Sequence, residues 1–84
     1  MKKLYLVSLL FESSAQDSLV DKREDAEKHC LDLVKTCMKD ELNATIALAE
    51  ITFNANADFT EQSFYDGTFN DYDLETIMTI EITI

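Results

Sequence analysis

The apolar positions fall into a few patterned runs, and each run predicts an element. Lys3 to Glu12 (KLYLVSLLFE) places Leu4, Leu6 and Leu10 on one face of an extended chain and Tyr5, Val7, Leu9 and Phe11 on the other. Both faces are apolar, as in a strand inside a sheet that is packed on each side. Glu12 to Asp17 reads as a polar connection. From there to about Leu42, Ala26, Cys30, Leu33, Val34, Cys37 and Met38 recur at intervals of three and four, which predicts one amphipathic helix. Ser18 with Asp21, and Asp21 with Glu24, have capping-box spacing at its start. Acids (Glu24, Asp25, Glu27) gather in the first turns and Lys35 and Lys39 in the last, complementing the helix dipole.

Ala44 to Asn54 mixes helix formers with β-branched residues. Ile46 and Leu48 alternate against Ala47, Ala49, Ile51 and Phe53, so the run is read as a strand. Phe59 to Tyr65 reads as a short strand ending in an Asp66-Gly67 hairpin turn, where glycine tolerates positive φ. In the last run, Leu74, Met78, Ile80, Ile82 and Ile84 face one way and Glu75, Thr79, Glu81 and Thr83 the other, with Ile77 out of phase.

The expected fold is α+β in the order β-α-β-β-β, with one amphipathic helix on one face of a mostly antiparallel four-stranded sheet. One helix covers one face only. Because the first strand is apolar on both faces, a second copy or a partner is expected to cover the bare side, giving a homodimer through the uncovered sheet face.

At 84 residues the chain forms a single small domain, residues 1–84, and a hydrophobic fraction of 46% is too high for disorder. Met1 to Gln16 imitates a signal peptide, with Lys2 and Lys3 before an apolar run and Ser13, Ser14 and Ala15 after it. The run has strand length and is too short to span a bilayer, so the protein is expected to be cytoplasmic, with no membrane partner.

Charge changes this picture most. All seven basic residues precede Asp40; residues 1–39 hold seven acids and seven bases, so the formal charge of -10 arises from residues 40–84. Asp58 to Glu75 interleaves six acids (Asp58, Glu61, Asp66, Asp71, Asp73, Glu75) with five aromatics (Phe59, Phe64, Tyr65, Phe69, Tyr72) and has no Lys or Arg. Such a chain repels a phosphate backbone, which excludes direct nucleic-acid binding through those aromatics.

Motifs for other chemistry are missing. Cys30 and Cys37 lie two helical turns apart, roughly 10 Å along the axis, too far to share a zinc ion or a disulfide. The one histidine, His29, points about 100° away from Cys30, which leaves no base beside a thiol nucleophile. A row of Asp71, Asp73 and Glu75 lacks the glycine and the distal Glu in register of a calcium loop and reads as a solvated acidic edge. No catalytic residue, metal site or cofactor is expected, and the chain is not expected to be an enzyme.

Three readings follow. The first is a small acidic protein-binding module whose contact residues are Glu61, Tyr65, Asp66, Asp71, Tyr72, Asp73 and Glu75, the tyrosines as anchors and the carboxylates as steering charges for a basic protein surface. Spaced carboxylates can stand in for phosphates, which extends this reading to an inhibitor or decoy on a basic, nucleic-acid-binding surface. The second is a non-catalytic homodimeric structural domain whose acids keep it soluble. The third is a small-ligand-binding domain with a site between helix and sheet.

Overall fold

The computed structural model describes all 84 residues. Its elements are β1 (Lys2–Phe11), β2 (Ser14–Val20), α1 (Arg23–Lys39), β3 (Ala44–Phe53), a single-turn α2 (Glu61–Tyr65) and β4 (Asp73–Ile82). The strands form one antiparallel sheet in the order β2-β1-β3-β4, with α1 packed on one face. The class is therefore α+β, one helix on a four-stranded antiparallel sheet, as the apolar pattern predicts.

Two of the expected elements differ. The polar connection after β1 is a tight hairpin: Phe11 pairs with Ser14, and Ser14–Val20 forms an edge strand before the helix. Residues 59–65 are not a strand, because Glu61–Tyr65 coils into α2. The count of four strands survives because β2 takes the place of the lost one, and the order is β-β-α-β-α-β rather than β-α-β-β-β.

Both faces of β1 are buried to different depths. On one side Tyr5, Val7, Leu9 and Phe11 join Ile46, Leu48 and Ile82 beneath Ala26, Cys30 and Cys37 of α1. Ile46 and Leu48 are essentially inaccessible, and burying such a side chain contributes about 1.5–3 kcal/mol. Met38, which the periodicity assigns to the buried side of the helix, is 62% exposed instead.

The capping boxes expected at Ser18 and Asp21 do not form. Ser18 belongs to β2, and the N-cap is Lys22, which makes no side-chain cap. At the other end the helix closes tightly: Leu42 N donates to Cys37 O at 2.9 Å and Glu41 N to Met38 O at 3.3 Å. That pairing is a Schellman motif, with Glu41 at φ 54° in the left-handed position that glycine usually occupies.

On the second face, Leu4, Ile51 and Phe53 make a separate core with Leu6 and Leu19. The chain between β3 and β4 folds back over it, packing Ala57, Phe59, Phe64, Phe69 and Tyr72 onto the sheet. This excursion covers much of the apolar surface on which the homodimer expectation rested. Beyond it, Leu10 is the one large apolar side chain of β1 that is left exposed, at 47%.

A β-bulge fixes the faces of β4. Leu48 pairs with Met78 but Ala49 with Thr76, so Ile77 is an extra residue. Ile77 packs with Met78 on the α1 side, and the alternation reverses across it. Leu74, opposite Ile51, therefore faces the excursion side, and Glu75, opposite Glu50, shares the α1 side with Ile80 and Ile82. The single-phase pattern expected for Leu74 to Ile84 holds only after the bulge.

Candidate functional site

The acidic stretch is held by local hydrogen bonds at one end and by aromatic packing beneath. Thr60 and Ser63 cap α2 reciprocally, Ser63 N donating to Thr60 Oγ1 and Thr60 N to Ser63 Oγ, each at 3.1 Å. Serine serves here at the position where a capping box usually has Glu or Gln. Gly67, at φ 81°, follows the last turn and lets the chain leave the helix; Phe69 N then returns to Ser63 O at 2.9 Å. The Asp66-Gly67 pair, expected to make a hairpin, ends a helix.

Under that cap Phe59, Phe64 and Phe69 are half-buried and pack onto the second core. Phe59 stacks on Phe53 with centroids 4.7 Å apart and planes at 21°, and Phe69 meets both rings edge-on at 5.7 and 5.3 Å. Each such pair contributes about 0.5–1.5 kcal/mol beyond area burial. Tyr72, expected as an exposed anchor, is half-buried against Phe64 (5.1 Å) and Phe69 (6.2 Å). Tyr65 is the exposed one, at 46%.

Six of the seven expected contact residues form two groups. Glu61, Tyr65 and Asp66 lie together at α2, over the β2 edge: Tyr65 Oη approaches the Asp17 carbonyl at 3.5 Å, the outer limit of a hydrogen bond. Partial burial, then the charges of Glu61 and Asp17, push the phenol of Tyr65 above its ordinary value. Asp17 thus joins this group, although nothing in a polar stretch between two predicted elements marked it. Asp66 Oδ1 accepts from Thr68 Oγ1 at 2.7 Å and from Thr68 N at 2.9 Å, which holds its carboxyl below the ordinary aspartate range.

The second group is Asp71, Tyr72 and Asp73, which line a polar cleft of about 320 Å³ with Met1, Asn54 and Asn70. Glu75 stands apart from both, on the α1 side of β4. Asp73 and Glu75 share that side, whereas Asp71 lies in irregular chain before the strand. No three His, Cys, Asp or Glu side chains converge as metal ligands would.

Electrostatically, the acids of the site are unneutralised. The chain has two ion pairs, Lys3–Glu50 at 3.5 Å and Arg23–Glu27 at 3.3 Å, and neither involves Glu61, Asp66, Asp71, Asp73 or Glu75. Segregation of charge along the sequence is thus matched by an absence of pairing in space.

Cys30 and Cys37 are both free and buried; desolvation, then the charge of Glu27, raises the Cys30 thiol above its ordinary value. Next to Cys37 a recess of about 210 Å³ is lined by Leu9, Phe11, Ser14, Gln16 and Leu42. That is below the ~300–1,000 Å³ of a typical ligand pocket. No helix is long and apolar enough to cross a membrane. Comparison with protein families, curated proteins and solved structures finds no match to this chain.

Proposed function

We propose that the chain is a small acidic protein-binding module that engages a basic surface of another protein through the Asp58–Glu75 excursion. The observation that carries this reading is the set of five carboxylates (Glu61, Asp66, Asp71, Asp73, Glu75) with no Lys or Arg of the chain paired to them. All five are exposed, Glu61, Asp66 and Asp71 on the excursion pinned to the sheet by Phe59, Phe64 and Phe69, and Asp73 and Glu75 at the start of β4. Pre-ordered charges bind with less loss of conformational freedom than charges on a mobile tail, and they steer a basic partner from a distance. Tyr65 is the exposed aromatic beside them and serves as the anchor; Tyr72 acts from below, holding the segment's shape.

In its more specific form the module is an inhibitor or decoy, its carboxylates occupying sites where the partner would hold phosphates. The test is capture from native lysate by the wild-type protein and by an Asp66→Asn/Asp71→Asn/Asp73→Asn variant, at low and high salt. A partner retained by the wild type at low salt, and released both by salt and by the triple substitution, supports the module. Addition of the partner's nucleic acid should also release it if the decoy form is correct. A partner that binds the triple variant equally well contradicts the reading.

A further inference from the structure

We infer that β4 is a docking edge for an extended basic segment of a partner protein, which adds to the sheet as a fifth strand. The inference rests on the reading above, that the partner is basic, and specifies where and in what conformation it binds.

Three observations converge on β4. It is a ten-residue strand at the margin of the sheet, with β3 on one side and no strand on the other. Alternate amide and carbonyl groups of an antiparallel strand point away from its neighbour, so its outer margin offers a ladder of unpaired backbone groups. Beside it, on the α1 side, an apolar groove of about 490 Å³ is lined by Ile80, Ile82 and Ile84 with Val34 and Met38 of the helix. Met38 and Ile84 are the most open of these, at 62% and 63% exposure. An added strand would place alternate side chains in that groove, the usual source of specificity when a peptide extends a sheet.

The third observation is charge, and it selects the occupant. β4 carries Asp73, Glu75 and Glu81 and no base, and Glu41 lies at the groove. A second copy of the chain would bring the same acids and a further formal charge of -10; paired antiparallel about Met78, each Glu75 would face the other copy's Glu81. Like charges directly opposite one another destabilise a strand pair. In that register the acids oppose self-pairing, and along the whole edge they favour a strand with Lys or Arg at the matching positions. The opposite margin is different: β2 is polar, shorter, and has Tyr65 against its Asp17 carbonyl.

The pairing positions define the partner's pattern, basic opposite Asp73, Glu75 and Glu81 and apolar opposite Ile80 and Ile82. The probe is acetyl-Val-Lys-Val-Thr-Val-Thr-Thr-Lys-Val-Lys-amide, titrated to ~1 mM at low salt into isotope-labelled protein, with amide exchange and methyl shifts as readouts. The expected result is at least about tenfold slower exchange of the outward amides of β4 at saturation, with shifts at Val34, Ile80 and Ile82. The same peptide N-methylated at alternate residues, and a Glu75→Lys/Glu81→Lys protein, should each lose at least about tenfold in affinity. Binding with shifts confined to residues 61–71, unaffected by N-methylation, would overturn strand addition and leave the acidic-surface reading standing. No binding by either peptide would overturn both.

Discussion

Phe59 lies flat on Phe53 at 4.7 Å, so that the start of the acidic excursion is stacked on the end of β3. The contact joins the two parts of the molecule, since Phe53 belongs to the sheet core and Phe59 leads into α2 and the acids beyond it. Replacing Phe59 with Ala removes this stack, its tilted contact with Phe64 and its edge contact with Phe69 together. For a half-buried ring the expected loss is roughly 2–3 kcal/mol, read from the urea midpoint at unchanged slope, together with faster amide exchange across residues 60–70. A loss under ~0.5 kcal/mol would mean that the excursion is not held by this stack.

The end of α1 makes a second prediction. Glu41 occupies the left-handed C′ position of a Schellman motif at φ 54°. A side chain there is disfavoured by about 1 kcal/mol relative to glycine. Glu41→Gly should raise unfolding free energy by about 0.5–1 kcal/mol, whereas Gly67→Ala, at φ 81° after α2, should lower it by a similar amount. Thermal or urea denaturation of the two variants checks both signs.

Asp66 and Thr68 test the local geometry of the site. The two hydrogen bonds from Thr68 stabilise the charged carboxylate, so its titration midpoint in the folded protein should lie below the ~3.9 of an unfolded aspartate. A depressed folded value stabilises the fold above the unfolded midpoint, and this contribution disappears as pH falls through the folded one. Thr68→Val removes the hydroxyl donor and should move the Asp66 carboxyl resonance midpoint upward in an NMR titration. An unchanged midpoint would show that the hydroxyl bond does not form in solution.

Cys30 behaves in the opposite sense. Burial, with Glu27 nearby, raises its thiol value, so the unfolded chain loses that proton at a pH where the folded chain keeps it. The favourable balance is intact below the unfolded thiol value of ~8.5 and is lost as pH rises from there through the folded value. Stability should therefore decline in the alkaline range, and less so in Cys30→Ala after its own cavity cost is subtracted. At neutral pH Cys30 and Cys37 should react with a thiol reagent only at the rate of opening, accelerating in urea.

The inner elements were legible in the sequence because each buries a face: β1, β3 and α1 follow directly from Leu4 to Phe11, Ile46 to Phe53, and the Ala26–Cys30–Cys37 spacing. β2 was not legible, since Ser14–Val20 is a polar edge strand and its turn, with Glu12 at φ 54°, has no Gly or Asn to announce it. At residues 59–65 the β-favouring aromatics Phe64 and Tyr65 outweighed a weaker signal, the Thr60–Ser63 cap, which prevails in the structure. Gly67 has the positive φ that an Asp-Gly pair signals, but at the end of α2 rather than in a hairpin. Of the candidate site, the acids and the packing role of Phe59, Phe64 and Phe69 could be read from the chain. The separation of Glu75 from the α2 group could not, because it depends on the extra residue Ile77 in β4.

Calorimetric titration of a captured basic partner, with wild-type protein and with the Asp66→Asn/Asp71→Asn/Asp73→Asn variant at two salt concentrations, tests the central claim most directly. The account predicts that the triple variant binds at least about tenfold more weakly at low salt, and that the difference narrows as salt rises. Equal affinity of the two proteins at low salt would contradict it.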